Sequence, residues 1–230
     1  MPRTMSRLQR AITYRQAGCL VCDGSPSMLD PVHGEVPDGV RTKGQAVGWA
    51  VSGLLDRFRQ SGSAANFSFA GVAFNSRVHS TWGPTAAADL DPAAGYDPTG
   101  GGGGTSIAAG LEAARGLVRG FLDAEVDGLP SSAVILVCSD GQCGTPDQTR
   151  RIATELKTDE RVTIACAFFA TAGSSTEGLD LLKEISSDPM RFCTVVYDPE
   201  TLRRFWMATM EASVPGALPV LHRHARLDQR

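Results

Sequence analysis

The sequence predicts an α/β protein: a three-layer α/β/α, doubly wound fold around a mostly parallel six-stranded sheet with one antiparallel edge strand. Two observations carry that prediction. Short apolar runs of strand length alternate with longer stretches whose apolar residues recur at helical spacing. A single pair of strand-like runs is joined by a turn too short to hold a helix, which makes that pair a hairpin. Length agrees, since 230 residues with 42% hydrophobic and 20% charged content suffice for one domain with a full core.

Each element follows in order. Ala17–Cys22 (AGCLVC), ending at Asp23, suits a parallel strand buried on both faces. Arg41–Gln60 sets Val47, Ala50, Val51, Leu54, Leu55 and Phe58 on one helical face. Asn66–Phe74 and Arg77–Trp82 form the hairpin about Asn75–Ser76. Thr105–Leu122 aligns Ile107, Leu111, Ala114, Val118 and Leu122 as a second helix. Ala133–Cys138 (AVILVC) is the most uniformly apolar strand. Thr145-Pro146-Asp147 then starts a helix that runs to about Lys157, with a capping hydroxyl, Pro at the first helical position and an early acid. Arg161–Phe169 (strand), Thr176–Ser186 (helix), Phe192–Tyr197 (strand) and Pro199–Ala212 (helix) complete the alternation. The domain is expected over residues 17–213, with an N-terminal extension at 1–16 and a patternless tail at 214–230.

Lys and Arg total 22 against 25 Asp and Glu, a formal charge of −3, which gives no electrostatic case for nucleic acid or an anionic membrane as partner. No apolar run has the length of a secretory signal or a membrane span. Of six cysteines, Cys19, Cys138 and Cys166 lie inside apolar runs as small hydrophobes. Together these features predict a reducing, cytoplasmic setting. Cys19 and Cys22 have the spacing of half a zinc site, but positions i and i+3 of a strand face opposite sides. His33, His79, His222 and His224 show no mutual metal or catalytic spacing. Asp89, Asp91 and Asp97 are expected on an exposed loop.

Doubly wound sheets bind ligands beyond the carboxyl ends of their strands. Three segments are expected at that edge: Asp23-Gly24-Ser25-Pro26-Ser27-Met28, the glycine run Gly100–Gly104 leading into Thr105, and Ser139-Asp140-Gly141. They offer the carboxylates of Asp23 and Asp140 and the hydroxyls of Ser25, Ser27 and Thr105. Hard oxygen donors without thiolate or imidazole suit Mg²⁺ or Mn²⁺, Ca²⁺ less well, rather than zinc. If Ser25, Ser27 and Thr105 bind the ion directly, Asp23 and Asp140 act through water or by orienting the hydroxyls. An ion so held stays electrophilic toward an incoming carboxylate. Thr105 has a second expected use as a helix cap. A phosphate loop would need Lys before Thr105, where Gly104 stands, and a dinucleotide fingerprint would need the place held by DGSPSM.

At Asp23, Ser25 and Ser27 in DGSPSM, Thr105 in GGTS and Asp140 in SDG, the sequence resembles the von Willebrand factor A (vWA) domain family. The resemblance extends from about Ala17 to Ala212. It implies a metal-ion-dependent adhesion site (MIDAS) for Mg²⁺ or Mn²⁺, completed by an Asp or Glu of a protein ligand. It further implies a non-enzymatic interaction module, of the kind that in cytoplasmic bacterial-type members serves as an adaptor for ATPase or stress-response machines. It also implies a switch in which Thr105 approaches the ion, Asp140 retreats behind water, and the helix Pro199–Ala212 shifts. Two departures stand out. Ser139 replaces a frequent Thr, at little expected cost. The segment Leu29–Val40 is longer than usual and brings Asp30, His33, Glu35 and Asp38 near the site. Two other classes stay open. One is a Mg²⁺-dependent phosphohydrolase with Asp23 as nucleophile and Asp140 as metal ligand; it lacks an acid at Ser25 and an evident lysine for the phosphoryl group. The other is an assembly subunit with a vestigial metal site.

Overall fold

A computed structural model describes residues 12–32, 36–91, 95–100, 102–124, 126, 128–170 and 177–215. The strands are β1 (Arg15–Asp23), β2 (Phe67–Phe74), β3 (Val78–Ala86), β4 (Ser131–Ser139), β5 (Val162–Phe169) and β6 (Cys193–Val196). The helices are α1 (Lys43–Gln60), α2 (Ile107–Asp123), α3 (Pro146–Leu156), α4 (Glu177–Ile185) and α5 (Pro199–Ala212). One six-stranded sheet runs in the order β3-β2-β1-β4-β5-β6. All neighbours pair in parallel except β2 and β3, the hairpin at the edge.

Helices cover both faces of the sheet. Ile107, Leu111 and Val118 of α2, Ile152 of α3 and Leu182 of α4 join Cys19, Val21, Ile135 and Val137 in one core. Val47, Val51 and Leu54 of α1 and Leu202, Trp206 and Met210 of α5 join Leu20, Cys22, Val134 and Leu136 in the other. Alternate residues of β1 and β4 thus enter opposite cores, which is why those strands read as unbroken apolar runs. Cys19 and Cys22 point into different cores, and burial pushes each thiol up to about 12. All six cysteines are free. Each fully buried Leu, Ile or Phe contributes about 1.5–3 kcal/mol of transfer free energy.

Boundaries differ from the expected ones for local reasons. The first strand begins at Arg15, because Arg15 and Gln16 pair with Ser131 and Ser132. Gln16 is polar yet fully buried, and its amide donates to the Met210 carbonyl at 2.9 Å, so hydropathy hides it. The first helix starts at Lys43, behind a capping box of Thr42 and Gln45. At α3, Pro146 and Asp147 take their expected places, but the Thr145 hydroxyl makes no cap bond and pairs with Ser106 Oγ at 3.1 Å. Residues 216–230 of the tail, most of the N-terminal extension, and His33, Glu35, His222 and His224 lie outside the described residues. Among the described residues no helix is long and apolar enough to cross a membrane.

Candidate functional site

Strands β1 and β4 lie side by side with Cys22 opposite Cys138, so their ends deliver Asp23 and Ser139 to one spot. The Ser139 hydroxyl donates to Asp23 Oδ2 at 2.6 Å, and the Ser25 amide donates to Asp23 Oδ1 at 2.8 Å. Pro26–Leu29 then form a single 3₁₀ turn, with Pro26 at its start. That turn brings Ser25 Oγ and Ser27 Oγ within 3.1 Å, and Ser27 Oγ donates to Asp140 Oδ1 at 2.7 Å. Asp23, Ser25, Ser27 and Asp140 therefore form one hydrogen-bonded chain at the carboxyl edge of the sheet. Burial pushes the Asp23 carboxyl above its ordinary range, and the Asp140 charge adds to this. The hydrogen bonds from Ser139 and Ser25 pull the other way.

Backbone contacts tie the glycine run and Thr105 to this cluster. Gly24 N–H donates to the Phe74 carbonyl at 2.6 Å, and Gly100 N–H to the Gly24 carbonyl at 3.4 Å. A Cβ at Gly24 would stand 1.8 Å from the Pro98 carbonyl oxygen, so only glycine fits. Gly102 and Gly103 have φ of 67° and 105°, a left-handed bend that steers the chain into α2. Buried Asn75 holds the segment: its side-chain amide donates to the Gly100 carbonyl at 2.7 Å, and its backbone carbonyl accepts from Ser106 N–H at 2.7 Å. Gly144 N–H donates to the Thr105 carbonyl at 2.8 Å, linking Thr105 to the loop that carries Asp140. The helix cap is Ser106, whose hydroxyl accepts from Ala109 N–H at 3.3 Å, not Thr105. Among the described residues the Thr105 hydroxyl takes no part in the hydrogen-bonded chain.

Sequence reasoning missed Lys43. Its ammonium contacts Asp140 Oδ2 and lies 3.6 Å from Asp30 Oδ2. The Lys43 and Asp140 side chains are 3% and 1% exposed, whereas Asp30 is 62% exposed. No lysine was evident for a phosphoryl group in the sequence, yet the fold sets Lys43 against Asp140. A signal was present: Lys43 opens α1, whose first turn has no acid, and the helix dipole disfavours a cation there unless an anion lies close by. The long segment after the site supplies the geometry. It doubles back through a Pro31–Thr42 bridge, and Lys43 N–H donates to the Asp30 carbonyl at 3.1 Å. Ser139 was also undervalued, since its hydroxyl is one of the groups that hold Asp23.

The donors present fit a hard cation. Among the described residues no three His, Cys, Asp or Glu side chains gather into a metal-holding group, so any ion here would rely on hydroxyls as well as Asp23 and Asp140. The ammonium against Asp140 marks the place where a positive charge is satisfied.

No family model and no curated protein matches the chain. Solved structures do match in fold. Proximal thread matrix protein 1 from the mussel byssus is 20% identical over 87% of this chain and 46% of its own, with a TM-score of 0.59. The pilus adhesin SpaC from Lactobacillus rhamnosus GG is 12% identical over 87% of this chain and 30% of its own, with a TM-score of 0.64. A von Willebrand factor type A protein from Catenulispora acidiphila is 17% identical over 87% and 43%, with a TM-score of 0.52. The chain thus spans less than half the length of each of these three structures.

Proposed function

We propose that this chain, whose fold is vWA-like, is a divalent-cation-dependent protein-binding module. Asp23, Ser25, Ser27, Thr105 and Asp140 would hold Mg²⁺ or Mn²⁺ as a MIDAS, and the ion would supply an electrophilic position for a partner's Asp or Glu carboxylate. The supporting observation is the continuous chain from Asp23 through Ser25 and Ser27 to Asp140, which gathers oxygens from β1 and β4 at the sheet edge where ligands of such folds bind. The role proposed is binding, not catalysis. Lys43 would supply the cation that a phosphohydrolase needs, but Ser25 still stands where its general acid would be. The setting proposed is cytoplasmic, with a protein partner, for instance within an ATPase or stress-response assembly, and neither nucleic acid nor membrane.

Calorimetric titration of Mn²⁺ into the whole chain tests the reading. Saturable binding is expected, with a rise in Tm that EDTA reverses. Ser27→Ala and Asp140→Asn should each abolish or strongly weaken it. Glutarate should raise Tm further only when Mn²⁺ is present. An unmoved Tm at millimolar Mn²⁺ would instead support the vestigial assembly subunit.

A further inference from the structure

Each carboxylate of the cluster is already satisfied by groups of the chain itself. Asp23 accepts from Ser25 N–H on one oxygen and from Ser139 Oγ on the other. Asp140 accepts from Ser27 Oγ on Oδ1 and holds the Lys43 ammonium on Oδ2. A divalent ion entering this cluster must therefore compete with a resident positive charge. That charge sits on a flexible four-carbon stem, and a second carboxylate, Asp30, already lies 3.6 Å away on the solvent side.

We propose that Lys43 is a tethered cation that occupies Asp140 and is displaced toward Asp30 when a divalent ion binds, so that the Lys43–Asp30 pair sets the ion affinity of the site. This rests on the metal-binding reading above. The physical reason is charge balance. With Lys43 in place, the buried Asp140 has a counter-charge without any metal, as a buried charge requires. Adding a divalent ion while the ammonium stays put would crowd two cations around one carboxylate. Moving the ammonium to Asp30 relieves that repulsion and leaves it paired at the surface. Asp30 is thus the receiving partner of an exchange.

Mn²⁺ affinity measured calorimetrically on the whole chain tests this. Lys43→Met keeps the length and loses the charge, and should bind Mn²⁺ about 10–100-fold more tightly, the range over which groups around a metal site change its affinity. Its Tm in EDTA should fall below that of the native chain, while the Mn²⁺-saturated proteins should differ less. Lys43→Arg, which fixes Asp140 in a planar fork, should bind Mn²⁺ more weakly and guards against a failure of Lys43→Met to fold. Asp30→Asn should weaken Mn²⁺ binding in the native background but not in Lys43→Met, because Asp30 acts through the ammonium.

The outcomes separate the two readings. Native binding with equal or weaker binding by Lys43→Met, or tighter binding by Lys43→Arg, overturns the Lys43 proposal and leaves the metal site standing. Equal effects of Asp30→Asn in both backgrounds overturn the exchange. Binding by Lys43→Met alone would show Lys43 blocking the site outright, which overturns its displacement by the ion and removes metal dependence from the native chain. No binding by native, Lys43→Met or Lys43→Arg protein overturns both.

Discussion

Replacing Ser139 by Ala offers a sharp test of how the cluster is held. The hydroxyl is fully buried and donates at 2.6 Å to Asp23 Oδ2. Its removal leaves one oxygen of a buried carboxylate without a donor, and such a loss costs about 1.5–3 kcal/mol when the acceptor is charged. For a domain of this size that corresponds to a fall in Tm of roughly 3–12 °C. Protonation caps the loss. Burial already raises the Asp23 carboxyl, and removing the Ser139 bond raises it further, so the variant escapes part of the penalty at low pH by taking up a proton. The destabilisation should therefore grow as pH climbs through the raised Asp23 value. Urea denaturation in EDTA reads this as a lower midpoint at unchanged slope. Mn²⁺ affinity should fall about 10–100-fold, as it does when groups that orient metal ligands are lost. Unchanged midpoints across pH, with unchanged Mn²⁺ affinity, would refute the role given to Ser139.

Three further outcomes follow from the same geometry. In EDTA, Asp23 itself should make stability decline with pH: its raised folded value means the native state holds the proton more readily, so its contribution is present below the ordinary carboxylate range and is lost as pH climbs through the raised value. Asp23→Asn should flatten that slope in urea midpoints, and an unaltered slope would place the titration elsewhere. Gly24→Ala should destabilise by about 1–3 kcal/mol or more, because its Cβ would meet the Pro98 carbonyl at 1.8 Å; a native-like urea midpoint would contradict the close approach. Asn75→Ala removes the donor to Gly100 and should cost about 1–3 kcal/mol while weakening Mn²⁺ binding through a loosened Thr105 segment; stability loss with native Mn²⁺ affinity would make Asn75 purely structural.

Much of this molecule was legible in the chain because two buried faces impose periodicity. A central parallel strand must be apolar throughout, as AVILVC is, and a covering helix must repeat its apolar residues near every fourth position, as α1 and α2 do. Once strands and helices alternate, the loops after β1 and β4 are forced to one edge, so Asp23, Ser25, Ser27 and Asp140 could be placed together from their positions alone. Gln16 escaped because a polar side chain that finds a buried backbone partner carries no hydropathy signal. Ser106, and not Thr105, became the cap because two adjacent hydroxyls compete for one helix end and only the path of the backbone selects between them.

Local pattern alone therefore determined the layers, the strand pairing type and the edge where oxygen donors meet. Which charge answers which was decided in three dimensions. Lys43 reaches Asp140 across 97 residues and Ser139 reaches Asp23 across 116, contacts with no periodic trace because each depends on a single side chain meeting another in a dry environment. Burial makes such partners compulsory, since an unpaired charge there is too costly to keep, but only the folded geometry chooses who they are.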